Sequence, residues 1–146
     1  MKEIINLAEK YDAMTVVDDS HATGFMGKTG KGTHELAGVG NKIDFMTSTF
    51  GKALGGASGG FTVSSKENIE FLRQRSRNYI FSNSLSPTIT AVTLFVIDYI
   101  KKNSGLRKTL WTNLRRFRQK MQEAGFEVSK QEHPIVPIML GDAKVA

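Results

Sequence analysis

The sequence predicts an α/β protein, a mostly parallel sheet flanked by helices with the start of a smaller α+β unit behind it. Three observations predict this. Short β-branched runs alternate with helical patterns over residues 1–104, the signature of strands joined by helical crossovers. Polar, hydroxyl-bearing and glycine-rich stretches follow those runs, at the strand ends where α/β folds place ligand sites. Composition then shifts near Asn103, Ser104 and Gly105, and a second unit begins at residue 105.

The elements follow in order. Ile4, Ile5, Leu7, Ala8 and Tyr11 recur at helical spacing, so residues 2–12 read as an amphipathic helix. Residues 14–17 are a short apolar, β-branched run, read as a buried strand ending at Asp18. Residues 22–40 hold six glycines and read as loop, with one short helix near residues 34–37. Residues 43–48 and 60–63 are the second and third strands. Residues 66–77 form a helix with Ile69, Leu72 and Phe71 inward. Residues 79–86 are a polar loop, closed by Pro87 at a helix start. Residues 88–102 form a strongly apolar helix. Residues 106–124 form a longer one, with Leu110, Trp111, Leu114, Phe117 and Met121 on one side and Gly125 as its stop. Residues 126–128 and 135–140 read as strands of another layer. Neither end shows a clear cap or tail, the pattern expected of a piece of a longer chain.

Composition excludes several classes. With no cysteine there is no disulfide and no thiolate metal site. His34 and His133 are isolated, so no metal is expected. No apolar run reaches 18 residues and no signal peptide opens the chain, so a soluble protein without a membrane partner is expected. The net charge of +6 is concentrated in residues 101–120. A basic face attracts phosphate-bearing partners, which makes a non-catalytic nucleic-acid- or nucleotide-binding module the alternative of another class. The spaced apolar residues there instead read as a packed helix with its charges outside, so no nucleic acid is expected. Arg73, Arg75 and Arg77 spread over more than one helix face and make no single anion clamp. Residues 22–29 fit a relaxed phosphate loop, but that reading needs a helix starting at Lys28, and Gly30 and Gly32 disfavour one.

The chemistry centres on Lys52. It lies between an apolar run ending in Thr47, Ser48 and Thr49 and a stretch rich in glycine. Glycine permits tight turns and close approach of backbone to a ligand. Parallel neighbouring strands would bring Lys52 and Asp18 to one sheet edge. A buried amine loses charge, because desolvation disfavours the cation. Such a lysine forms a Schiff base with an aldehyde cofactor and afterwards serves as a proton-transfer base. Asp18 at a strand end can hold a protonated pyridine nitrogen, and His21 can hydrogen-bond a second atom of the same ligand. Read alone, Asp18 as a helix cap and His21 as a packing residue fit equally well.

Three motifs together carry a family resemblance: Asp18, Asp19, Ser20 and His21; Thr49, Phe50, Gly51 and Lys52; and the run from Phe81 through Ser82 and Asn83 to Pro87. In this order, and over essentially all 146 residues, the chain resembles the α-oxoamine synthases, pyridoxal 5′-phosphate enzymes of the aspartate aminotransferase-like fold type I. It is most similar to the branch that joins glycine and acetyl-CoA into 2-amino-3-oxobutanoate, releasing CoA. A sister synthase using another acyl-CoA or amino acid is the alternative. The resemblance implies that residues 1–104 are the second half of the large cofactor-binding domain and residues 105–146 the start of the small C-terminal one. It implies that Lys52 forms an imine with the cofactor and that Asp18 pairs with the pyridine nitrogen. His21 would contact the ring hydroxyl oxygen, and Thr49 would bind the phosphate. Ser82 and Asn83 would reach the phosphate held by the other subunit, giving a homodimer with shared sites. Asp19, Ser20, Phe50 and Gly51 belong to the same cofactor-binding motifs. Members of the family carry an upstream segment with the residue that stacks on the ring, and a downstream arginine for the substrate carboxylate. Neither region lies here, so the 146-residue segment alone is expected to be nearly inactive. A cytoplasmic setting is expected, or a mitochondrial one in a eukaryote.

Overall fold

The computed structural model describes residues 1–56 and 58–145. A three-stranded sheet organises its first part, in the order β1 (Val16–Asp18), β2 (Phe45–Thr49) and β3 (Gly60–Val63). Strands β1 and β2 run parallel, with Val16 opposite Phe45 and Asp18 opposite Thr47. Their register is locked at the base. The Asp44 carboxylate accepts from the Thr15 N–H at 2.7 Å and from its hydroxyl at 2.8 Å, and the Asp44 N–H donates back to that hydroxyl at 3.0 Å.

A parallel pair needs a crossover of a dozen or more residues. Residues 19–44 supply it as glycine-rich turns around the short helix α2 (Thr33–Ala37). Strand β3 departs from the mostly parallel expectation by pairing antiparallel to β2, with Thr49 opposite Gly60. The reason is length: residues 50–59 are too few for a crossover, so the chain turns straight back. The sheet is therefore mixed.

Strand β1 is also less covered than a buried strand. Met14 is 79% and Val16 69% exposed. Helix α1 (Lys2–Lys10) buries Ile5 but leaves a broad apolar groove beside β1, lined by Ile4, Leu7, Tyr11, Met14 and Val16. Parallel strands are buried when helices cover both faces, and here that face is open among the described residues.

Helix α3 (Lys66–Arg75) starts at Ser65, whose hydroxyl accepts from the Asn68 N–H at 3.2 Å. Ile69 and Leu72 are half-buried three residues apart on one face. Phe71 is 62% exposed, not inward, because it lies far around the helix from Ile69. A further turn, α4 (Arg77–Ile80), occupies the start of what the sequence suggests is loop. Helix α5 (Pro87–Lys102) begins at its proline, and the Ser86 hydroxyl accepts from the Ile89 N–H at 3.3 Å. Thr93 is its buried residue, while Leu94 and Phe95 stand exposed.

The chain divides into two compact units, Met1–Lys102 and Asn103–Ala146. In the second, helix α6 (Gly105–Glu123) buries Leu114, with Leu110, Trp111 and Met121 half-buried and Phe117 more exposed. It ends as expected at Gly125, whose φ of 87° lets the Phe126 N–H reach the Met121 carbonyl at 3.0 Å. Residues 126–128 and 135–140 do not form strands. A single antiparallel bridge joins Val128 and Ile138, since two short runs without a third partner make a marginal ribbon. Arg118 holds the turn between them by donating to the carbonyls of Gln131 and His133.

The register lock carries a pH signature. Thr15, through its N–H and hydroxyl, holds the Asp44 carboxyl below its ordinary 3.8. A depressed folded-state value means stability that is complete above the unfolded value and is lost as pH falls through the folded one. The urea midpoint of the chain is therefore expected to stay level from about pH 7 to about pH 5 and to fall below about pH 4. Asp44→Asn lowers the midpoint at pH 7 and flattens the acid decline. An unchanged midpoint and slope in that variant would remove Asp44 from the account.

Candidate functional site

Strand β1 ends in a tight turn. The Asp19 N–H donates to the Thr47 carbonyl at 2.8 Å, which carries the ladder one residue past Asp18. Asp18 is no helix cap: residues 20–26 are turn and bend. Its Oδ1 accepts from the Ser20 N–H at 2.9 Å, the short-range bond by which aspartate shapes turns. The Ser20 hydroxyl and N–H, followed by the electrostatic influence of Lys52 and His21, hold the Asp18 carboxyl below its ordinary 3.8. An exposed, ionised carboxylate therefore stands at the carboxyl end of β1 with Lys52 and His21 around it.

Lys52 follows β2 by three residues. The loop that carries it is closed at its neck, where the Phe50 N–H donates to the Gly59 carbonyl at 3.0 Å and the Gly56 N–H to the Phe50 carbonyl at 2.7 Å. Leu54 is 2% exposed and anchors the loop inward. Gly56 is buried, and a β-carbon there would meet Phe50 Cβ at 2.9 Å and Thr93 Oγ1 at 3.0 Å. The Phe50 ring stacks on Phe61 with centroids 5.2 Å apart. The Lys52 side chain itself is exposed, which corrects the expectation of a buried amine. The loop buries Leu54 and Gly56 instead, and no described residue covers the lysine.

The remaining sequence-predicted residues divide. The Thr49 hydroxyl is engaged within the loop, accepting from the Gly51 N–H and donating to the Gly59 carbonyl, both at 3.1 Å. Gly51 is exposed and Ser20 half-buried. Ser82 and Asn83 are exposed on the loop between α4 and α5, whose Leu85 packs where a β-carbon on Gly59 would lie. Asp19, grouped with the cofactor-binding residues by its sequence position, is 1% exposed and sealed inside the first unit.

Sequence reasoning missed the residues around Asp19. Its Oδ1 accepts from the Thr33 N–H at 3.0 Å and the Thr33 hydroxyl at 2.5 Å, and its Oδ2 from the Thr23 hydroxyl at 2.9 Å. Ser48, on β2, donates to the Thr23 hydroxyl at 2.9 Å. A β-carbon at Gly32 (φ 121°) would run into the Asp19 carboxylate. Hydroxyls spaced through a glycine-rich loop gave no periodic signal, so this cluster was legible only as loop. A second carboxylate closes the same loop. Burial pushes the Glu35 carboxyl up, but hydrogen bonds from Lys31 and Thr29 outweigh it and hold the group below its ordinary 4.5. The segment from Ala22 to Thr29 is turn and then bend, and no helix starts at Lys28, which overturns the phosphate-loop reading.

Two clefts lie elsewhere in the first unit. One is lined by His34, Asp44, Met46 and Asn68, another by Leu54, Phe61, Ile97 and Ile100. Asp18, His21 and Lys52 thus occupy an open rim. Among the described residues no group of three or more acidic or histidine side chains is placed to hold a metal, and no helix is long and apolar enough to cross a membrane.

Comparison with known proteins places the chain in a family. The description of aminotransferase class I and II matches residues 1–146. The chain is 53% identical over 146 residues to 2-amino-3-ketobutyrate coenzyme A ligase of Escherichia coli, covering all of this chain and 37% of that protein. It is 37% identical over 142 residues to 8-amino-7-oxononanoate synthase of Thermoanaerobacter pseudethanolicus, covering 97% of this chain and 36% of that one. A solved structure of SPT with a PLP internal aldimine superposes with a TM-score of 0.91 at 35% identity, over 98% of this chain and 36% of that one. The chain thus spans little more than a third of the length of the relatives it matches. Its strands and helices are part of the type I fold of pyridoxal-phosphate-dependent enzymes, and pyridoxal 5′-phosphate is the cofactor that family and those structures indicate. The chain belongs to the aminotransferase class I and II family.

Proposed function

We propose that these residues form the cofactor-binding edge of a pyridoxal-phosphate-dependent acyltransferase, a glycine C-acetyltransferase that condenses glycine with acetyl-CoA to 2-amino-3-oxobutanoate and CoA. The observation that carries the reading is the placement of Asp18, His21 and Lys52 at one end of a parallel strand pair. The 53% identity to a 2-amino-3-ketobutyrate coenzyme A ligase supports the choice of substrates. Identity to an 8-amino-7-oxononanoate synthase keeps a sister synthase with another acyl-CoA as the second reading.

The residues present fit the cofactor. An exposed carboxylate that stays ionised is what a protonated pyridine nitrogen needs opposite it. Bound pyridoxal phosphate supplies an electron sink for negative charge at the substrate Cα. Asp18 keeps the ring nitrogen protonated. His21 orients the ring through its hydroxyl oxygen. Lys52 would hold the cofactor at its aldehyde carbon, and its Nζ would be the base that accepts the substrate Cα proton. Thr49 would bind the cofactor phosphate, and Ser82 and Asn83 of a second copy would reach the same phosphate in a homodimer. The open rim and the bare faces of β1 and α5 fit walls supplied by a chain of the relatives' full length. A cytoplasmic setting, or a mitochondrial one in a eukaryote, goes with this reading.

Two outcomes are expected. In a full-length holoenzyme carrying these residues, Lys52→Ala abolishes the absorbance band of the bound cofactor and lowers kcat by more than about a thousandfold. A variant that keeps both band and rate would refute the role of Lys52. The 146-residue chain by itself, supplied with pyridoxal phosphate, glycine and acetyl-CoA, is expected to release almost no CoA. Release at the full-length rate would show that the missing walls are dispensable.

A further inference from the structure

We infer that Asp19 is the positioning residue of this site: it never meets the cofactor, and it sets the placement of Asp18 and His21 relative to the strand that carries Lys52. The inference rests on the cofactor reading above. Its geometry is independent of that reading.

Asp18 and Asp19 are adjacent in sequence and opposite in environment. Asp18 is exposed, while Asp19 is 1% exposed. A buried carboxylate is costly unless its oxygens are satisfied, and here both are. Thr33 donates twice to Oδ1, from its N–H at 3.0 Å and its hydroxyl at 2.5 Å. The Thr23 hydroxyl donates to Oδ2 at 2.9 Å. Thr23 in turn accepts from Ser48 at 2.9 Å. The bonds therefore run in one direction, from Ser48 through Thr23 to Asp19, with Thr33 entering from the other side.

Each member sits at a telling place. Ser48 is on β2, one residue before Thr49 and four before Lys52. Thr33 begins α2 and closes the glycine loop. Asp19 separates Asp18 from Ser20, which fixes the Asp18 carboxylate. The Asp19 N–H donates to the Thr47 carbonyl at 2.8 Å, so backbone and side chain of one residue both grip β2. The absence of a side chain at Gly32 leaves the space the carboxylate occupies. Displacing Asp19 shifts the turn that holds Asp18 and His21 against the strand leading to Lys52. A misplacement of about 1 Å can cost about a hundredfold in rate.

The test uses the full-length holoenzyme and two substitutions, Asp19→Asn and Thr23→Val. Asn keeps the shape but places an amino group where one oxygen accepted. Val keeps the shape of threonine and cuts the link to Ser48, which keeps the test open if Asp19→Asn fails to fold. Three quantities are read at saturating cofactor: the induced circular dichroism of the bound cofactor, kcat, and the KM for glycine. Both variants are expected to lose about half or more of the induced signal per bound cofactor, with kcat down about ten- to a hundredfold and KM changed less than about twofold. A lower unfolding midpoint with induced signal and kcat unchanged would make Asp19 a stabilising residue only and overturn the inference. A wild-type band present and removed by Lys52→Ala, together with unaltered Asp19 and Thr23 variants, sinks this inference alone. A wild-type protein with no such band sinks the cofactor reading and this inference with it.

Discussion

Parallel pairing of β1 with β2 sets Val16 opposite Phe45 and Asp18 opposite Thr47, and that register fixes what stands at the sheet edge. Strands that run the same way end at the same edge, so Asp18, at the last position of β1, faces the level of Thr47, and Lys52 follows just beyond. A slip of one residue in that register would turn Asp18 to the other face of the sheet. Two sets of bonds prevent the slip. At the base, Thr15 and Asp44 clamp each other across the strands. At the top, Asp19 grips β2 through its own N–H and through Thr23 and Ser48. The chemistry proposed for the rim follows from these two clamps more than from any feature of Lys52 itself.

The site divides its two neighbouring aspartates by burial. Strand alternation and the turn after β1 leave Asp18 outside, where Ser20 and then Lys52 and His21 hold it ionised. The next carboxylate is drawn inward and fully bonded. One shapes the electrostatics at the edge, the other the architecture beneath it. The lysine loop follows the same logic, with Leu54 and Gly56 inside and Lys52 outside. What lies open, the rim and the apolar faces of α1, β1 and α5, matches the fact that the chain covers about a third of its relatives' length.

Much of this was legible in the residues. The helices at either end of the first unit, the positions of the three strands, the proline start of α5 and the glycine stop of α6 follow from local patterns that no tertiary contact overrides. So does the position of Asp18 and Lys52 after the same ends of two parallel strands, because strand direction sets it. Three things were not legible. The reversal of β3 depends on the shortness of residues 50–59, which strand patterns do not weigh. The strands expected after Gly125 reduce to one bridge, since pairing depends on a third partner that local pattern cannot reveal. The hydroxyl network of Thr23, Thr33 and Ser48 has no period at all, and only the fold gathers it around Asp19.

If Lys52 and Asp18 share one sheet edge, an NMR titration of the Asp18 carboxyl with and without the lysine charge reads their proximity. Asp18 is expected to titrate below its ordinary 3.8, and Lys52→Met to move it upward, since a nearby cation favours the ionised form. An Asp18 titration unmoved by Lys52→Met would place the two groups apart and leave the rim without its paired charges.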